Sequence, residues 1–372
     1  MWYLVFFNNT IMELSLNGAF KLWQSMQPLE EWQQELLRRK FTIEYNFNSN
    51  HIEGNTLTYG QTELLLLFGI TSQEGHVKDF ADMKASQVGM EMVQEAVQDH
   101  SMPLTQNFIR QLHKIILRED YTVYRNLPGG MQTSYTVHAG QYKTRPNSVI
   151  TRYGDRFEYA SPEETPLLMT DLVDWYNEAE REGKLSPVEL AALFHYRYIR
   201  IHPFEDGNGR IARLMMNYIL ARHGWPMIVI RNRNKAAYLE ALHKADMAVG
   251  TSPSKGTRAT MGQAKHFIKY IQDTVRDEIM CDVSIVQNRD NDTWWYDGLM
   301  LKFRSESGSR ILHMMKDNPS ITYTEMADTL GINRSAVQGM VERMKAKGYL
   351  ERRTSEGTWY VFAIQSREKD NR

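Results

Sequence analysis

Twelve consecutive residues, His202-Pro-Phe-Glu-Asp206-Gly-Asn208-Gly-Arg210-Ile-Ala-Arg213, constrain this chain more than any other stretch. From Ile211 the apolar residues Ile211, Leu214, Met215, Tyr218 and Ile219 recur at helical spacing, so a helix begins here and Gly207 to Gly209 form the turn that opens it. A helix start turns unpaired N–H groups toward an anion, glycine lets backbone approach phosphate oxygens, and the Asn208 side chain adds a donor beside them. Arg210 and Arg213, three residues apart, share one helix face, from which two guanidinium forks can hold a polyphosphate. His202 changes protonation near neutral pH and can take a proton from an incoming hydroxyl. Asp206 is a single hard oxygen ligand, suited to Mg²⁺ that keeps its waters and shares a nucleotide's phosphates. Taken one at a time, the same residues also fit a plain helix entry, a structural histidine and a capping aspartate. In combination they point to nucleotidyl or phosphoryl transfer.

This stretch resembles the signature of the Fic (filamentation induced by cAMP) proteins, HPFx[DE]GNGRxxR, at every fixed position. The resemblance implies a protein adenylyltransferase that moves AMP from Mg-ATP to a Ser, Thr or Tyr hydroxyl of a protein, itself included. His202 would be the general base and Phe204 the anchor of the loop. Asp206 would bind Mg²⁺, Gly207, Asn208 and Gly209 would form the anion-binding turn, and Arg210 and Arg213 would hold the outer phosphates of ATP.

Further segments carry the resemblance. In Ser49-Asn-His-Ile-Glu53-Gly54, read by itself, Gly54 ends a helix and Glu53 is a surface charge. The segment is similar to the [ST]xxxE[GN] pattern of the inhibitory helix that many Fic proteins carry, whose glutamate pairs with the second motif arginine, here Arg213. Gly140-Gln141-Tyr142-Lys143 resembles the G-x-Y-R at the entry to the family's flap hairpin, with Lys143 where arginine is usual. Asn234-Lys235-Ala236-Ala237-Tyr238 resembles the segment whose asparagine and tyrosine approach the nucleotide, although Tyr238 fits a core aromatic equally well.

The rest of the chain sets the frame. A net charge of −1 over 372 residues implies neither a nucleic-acid scaffold nor a membrane-surface protein. The single cysteine, Cys281, excludes an intrachain disulfide and a thiolate zinc cluster and fits a reducing compartment. The apolar run 2–7 lacks a basic start, the length to span a membrane and a cleavage site. A cytoplasmic protein is expected, with Met12 a second candidate start.

Apolar spacing predicts helices over 108–117, 166–176 and 187–201, with His195 a core histidine on the last. Alternation around Gly154 predicts a hairpin from 149–151 and 157–159, where the resemblance places the flap. Past residue 305, helices over 309–316, 324–330 and 335–347 precede a hairpin around 355–357, an order similar to a winged helix. Lys and Arg number 11 against 9 Asp and Glu from Ser305 onward, a small surplus for a phosphate-backbone binder, so DNA and a protein or dimer partner stand level there. The expected fold is mainly α: an N-terminal helical region with the inhibitory helix (1–100), a Fic core with a hairpin flap (101–285), a linker (286–304) and a winged-helix domain (305–372). The alternative functions are a nucleotide-sensing, DNA-binding transcriptional regulator, or a Fic enzyme that moves another group or removes AMP.

Overall fold

A computed structural model describes residues 5–7, 10–12, 14–71, 75–126, 132–150, 154, 156–250, 252–288, 292–353 and 357–365. The chain divides into two compact units, one of residues 48–55 and 76–276, the other of 1–47, 56–75 and 277–372.

The first unit is built around the helix Asn208–Arg222. Its expected stripe is buried, and so are Ala212, Met216 and Leu220 on the other faces. A helix apolar all round belongs at the centre of a fold. Pro187–Ile201 packs along it most extensively, and Val77–Ala96 and Gln106–Leu117 cover further faces, while Thr165–Glu182 lies on Pro187–Ile201. Pro187–Ile201 follows the predicted bounds because its start is encoded locally: Ser186 accepts from the Glu189 N–H, the Glu189 side chain reciprocates, and Pro187 needs no hydrogen-bond donor. The flap hairpin pairs Ser148–Ile150 with Arg156–Glu158 in antiparallel register, Val149 opposite Phe157. Part of its predicted extent, 151–153 and 155, lies outside the described residues. A second hairpin, Tyr121–Asn126 with Gln132–Val137, falls where the sequence reading has no element.

The second unit holds the winged helix. Glu306–Asp317, Tyr323–Leu330 and Arg334–Ala346 are followed by the antiparallel strands Leu350–Arg353 and Thr358–Val361. The turn within 355–357 is described only at Gly357. The stretch 286–304, read as a linker, is corrected. Within it, Trp294–Tyr296 pairs with Leu299–Met300 and with Ile364–Gln365 to make a three-stranded sheet. Trp294 is fully buried with Ile311, Leu312, Met344 and Trp359, and its indole N–H donates to Ser309 Oγ at 2.9 Å. Strands this short carry no readable period, and one partner lies some seventy residues further along. Nor does the winged helix form a body of its own: Ile364 and Trp295 pack with Leu36 and Leu37, and Phe362 packs with Ile43, Tyr59 and Leu64. A Cβ on Gly60 would strike the Phe362 ring.

Truncation after residue 304 should therefore fail. It strips Ile311, Leu312, Met315, Trp359, Phe362 and Ile364 from their clusters, and at roughly 1.5–3 kcal/mol for each buried large side chain the loss matches the 5–15 kcal/mol that typically hold a domain together. Soluble yield and tryptophan emission measure this. A soluble fragment that unfolds cooperatively and keeps blue-shifted emission would show that residues 305–372 are dispensable. Among the described residues, no helix is long and apolar enough to cross a membrane.

Candidate active site

The site begins where Pro187–Ile201 stops. His202 caps that helix at φ 50°, ψ 60°, while its N–H donates to the Tyr198 carbonyl at 2.9 Å. Left-handed backbone at a non-glycine residue costs about 1–2 kcal/mol, and such strain persists only where surrounding contacts fix it. The imidazole stacks on Tyr159, ring centroids 3.9 Å apart and 12° from parallel. Burial first, then the charge of Lys143, pushes the imidazole down to about 3, against the Ile199 carbonyl and Asp206, which pull it up. At neutral pH His202 is thus an uncharged proton acceptor.

Two residues further on, Phe204 is fully buried and lies flat on His113, centroids 3.7 Å apart. Asn208 departs from expectation. Its Oδ1 accepts from the Phe204 N–H (3.0 Å) and its Nδ2 donates to the Phe204 carbonyl (2.7 Å). An amide with both ends engaged on one backbone unit closes the loop, so the side chain is not the free phosphate donor read from the sequence. Gly207 sits at φ 77°, a left-handed backbone that glycine adopts without strain.

Asp206 is held from two sides. Oδ1 accepts from the Gly207 N–H (2.7 Å) and Oδ2 from the Tyr121 hydroxyl (2.6 Å), with Arg210 Nη2 at 3.8 Å. Burial raises this carboxyl, but the Tyr121 hydrogen bond, Arg210 and Gly207 outweigh it and hold the group below its usual range. His113 fixes the backbone here: the Gly140 N–H donates to Nδ1 (2.8 Å), which leaves Nε2 to donate to the Asp206 carbonyl (3.0 Å). Neither His113 nor Tyr121 is foreshadowed in the sequence, since each reaches the loop from about ninety residues away. Asp206 remains 46% exposed with a lone pair left on each oxygen. Among the described residues no cluster of three or more His, Cys, Asp or Glu forms a metal cage. One such carboxylate fits a hard cation that completes its shell with phosphate and water, which is how Mg²⁺ binds with nucleotides. Arg210 is buried with its Nε unpartnered, a cationic donor in want of an acceptor.

Arg213 has its partners. Nε donates to Ser49 Oγ (2.9 Å), and Nη2 donates both to the Ser49 carbonyl (2.8 Å) and to Glu53 Oε1 (2.7 Å). Arg213 is 2% exposed and Glu53 39%. Glu53 follows the last turn of Glu31–Ile52, and Gly54 leaves that turn at φ 97°. Lys235 Nζ caps the Ile52 carbonyl at 2.7 Å, and the Asn232 N–H donates to Asn48 Oδ1 at 2.7 Å. A Cβ at Gly209 would collide with Glu53 Oε1, so the glutamate lies directly against the turn.

Tyr238 and Asn234 are the remaining expected residues. Tyr238 is 3% exposed and its hydroxyl donates to His195 Nε2 at 2.8 Å, while His195 Nδ1 donates to the Ala212 carbonyl. Tyr238 thus reaches the site from behind, as a core aromatic whose hydroxyl also senses Arg213. Asn234 is exposed at the end of the turn Asn232–Asn234.

Burial pushes His113 down to about 4 and His195, like His202, down to about 3. The unfolded chain takes up protons below about 6.5 and these sites do not, so the stability they contribute is complete above that pH and drains away as pH falls toward 4. By pH 5 each costs about 2 kcal/mol. Three histidine ring resonances should stay flat between pH 8 and 5 while unfolding free energy drops. Normal titration of all eleven histidines would refute this.

A model of the Fic/DOC family matches residues 103–220, and one of the MarR family matches 309–358. The chain is 49% identical to a Fic domain containing signaling protein from Bacteroides thetaiotaomicron, whose solved structure aligns with a TM-score of 0.67 over 72% of this chain and 95% of that one. It is 30% identical over 204 residues to protein adenylyltransferase Fic of Nematostella vectensis, covering 55% of this chain and 43% of that protein. With protein adenylyltransferase fic-1 of Caenorhabditis elegans it shares 29% identity over 239 residues, 64% of this chain and 40% of that protein. The chain therefore spans about two fifths of the length of these curated relatives.

Proposed function

The chain belongs to the Fic/DOC family, and from that premise we propose that it is a protein adenylyltransferase that moves AMP from Mg-ATP to a Ser, Thr or Tyr hydroxyl and is restrained by Glu53. The observation that carries this reading is the buried guanidinium of Arg213, at a helix start, taken by a glutamate from a distant segment. An anion site filled by the protein's own carboxylate is one that a phosphate would otherwise fill.

His202 accepts the proton of the target hydroxyl as its oxygen bonds to the α-phosphorus. The bond from that phosphorus to the bridging oxygen breaks, and pyrophosphate leaves with the electron pair. Arg210, Arg213 and the N–H groups opening Asn208–Arg222 hold the phosphates in line, and such positioning with fixed charge supplies most of the rate. Asp206 would hold Mg²⁺, which neutralises charge on the phosphates when bound.

Incubating the Glu53→Gly protein with ATP labelled at the α- or the γ-phosphate tests the reaction class. Protein should keep the α label alone. Retention of the γ label would mean phosphoryl transfer. No label at all would favour a nucleotide-sensing, DNA-binding regulator, a reading supported by the MarR match and by Arg334 and Gln338 exposed on Arg334–Ala346. Asp206→Ala should cut transfer about 100-fold or more, since metal stabilisation of a phosphoryl oxygen contributes several kcal/mol. Full activity of that variant in excess EDTA would remove the metal from the scheme.

A further inference from the structure

Every backbone carbonyl from Ile201 to Phe204 accepts a hydrogen bond from one short segment, 143–147. Lys143 Nζ donates to the Ile201 carbonyl (3.0 Å), and the Lys143 N–H to that of Pro203 (2.8 Å). Asn147 Nδ2 donates to the carbonyls of His202 (3.4 Å) and Phe204 (3.0 Å). Asn147 Oδ1 accepts from Lys143 Nζ at 2.8 Å, which makes the two side chains one unit. Thr144 extends the contact, its N–H and hydroxyl both donating to Glu205 Oε1.

We propose that Lys143 and Asn147 are positioning residues for the transfer reaction, a clamp that holds His202 in its left-handed conformation and so aims the base. The inference rests on the reading of His202 as that base. Three physical facts favour it. A strained φ at a non-glycine residue needs external restraint, and here the restraint falls on the carbonyls either side of the strained residue. The Ile201 carbonyl lies at the C-terminal end of Pro187–Ile201, where the helix dipole favours a cation. Lys143 is 3% exposed, and its acceptors are an amide oxygen and a carbonyl rather than a carboxylate. A buried ammonium held that way is an expensive arrangement to keep for packing alone. Burial pushes it down to about 7, against the pull of Glu164.

The test uses the full chain carrying Glu53→Gly, with Lys143→Met, Lys143→Arg or Asn147→Ala added. Misaligning a catalytic group by about 1 Å costs on the order of 100-fold. Lys143→Met should thus lower kcat by about 10- to 100-fold with the KM for ATP and the Kd of a non-hydrolysable ATP analogue unmoved, and Lys143→Arg should restore most of the rate. The His202 ring resonance, assigned through His202→Ala, should shift in Lys143→Met and Asn147→Ala. An unchanged kcat in Lys143→Met, a parallel loss of analogue binding, or no rescue by arginine would each overturn the clamp. Should Lys143→Met fail to fold, Asn147→Ala carries the same kinetic and spectroscopic readings. If the Glu53→Gly parent transfers no AMP, the functional reading has failed by itself, and an unmoved His202 resonance still decides against the clamp.

Discussion

Replacing His202 by Ala in a Glu53→Gly protein should lower AMP transfer by about 10²–10⁴-fold, the range that a positioned general base contributes, while Mg-ATP still binds. The histidine cannot be replaced by a neighbour. His113 has both ring nitrogens engaged, one accepting from Gly140 and one donating to the Asp206 carbonyl. His195 is likewise held between Ala212 and Tyr238. His202 is uncharged at neutral pH, with one ring nitrogen unprotonated, because burial and Lys143 disfavour its charged form, and a nucleotide's negative charge nearby would raise its basicity as the reaction begins. The groups proposed to bind phosphate, Arg210, Arg213 and the helix-start N–H groups, are left untouched by the change. Label incorporation from ATP and titration with a non-hydrolysable analogue separate the two effects. An Ala variant that labels protein at the parent's rate would end the assignment, and one that has lost analogue binding would make His202 a binding residue.

What the sequence makes legible follows the range of the contacts involved. The loop from His202 to Arg213 is local, so its glycine turn, the helix start and the two arginines can be read from spacing alone. The capped bounds of Pro187–Ile201 are local as well. Residues that hold the loop in place come from afar: Tyr121 and His113 reach Asp206, and Lys143 and Asn147 reach 201–204. No periodicity announces such contacts, because each is one polar side chain: Tyr121 opens its strand, His113 lies within Gln106–Leu117, and Lys143 and Asn147 lie in the loop before Ser148–Ile150. Asn208 misleads for a related reason. An amide beside an anion-binding turn can face out to a ligand or back to the loop, and only the Phe204 backbone, four residues earlier, decides it. The strand Trp294–Tyr296 is invisible because three residues carry no readable period and one of its two pairing partners, Ile364–Gln365, lies some seventy residues further along. The meeting of Glu53 with Arg213, 160 residues apart, is legible only through family resemblance.

That meeting sets the largest gain of function to be expected. Glu53→Gly should raise self-AMPylation by about tenfold, and at most about 100-fold: a hydrogen bond to a charged partner contributes roughly 1.5–3 kcal/mol, and each ~1.4 kcal/mol is tenfold in an equilibrium. The lower figure is favoured because Glu53 is 39% exposed, so solvent screens its charge and a less rigid carboxylate holds its partner less tightly. Removing the carboxylate does not set the arginine loose, since Ser49 keeps two of its N–H groups through Oγ and the backbone carbonyl. The guanidinium stays aimed while its anionic partner is gone, which is the state a phosphate requires. Arg213→Ala should not mimic this release, because it removes the partner of the glutamate and of the phosphate together. Ser49→Ala in the Glu53→Gly protein should give back part of the gain by loosening Arg213. Gly209→Ala probes the same space differently: its Cβ displaces Glu53 yet also narrows the turn, so nucleotide affinity should fall even though the block is lifted. Initial rates of label incorporation from α-labelled ATP for the parent, Glu53→Gly and Glu53→Gly with Arg213→Ala decide the matter. Equal rates for the parent and Glu53→Gly would sink restraint by Glu53, and full activity in the double variant would show that Arg213 holds no phosphate.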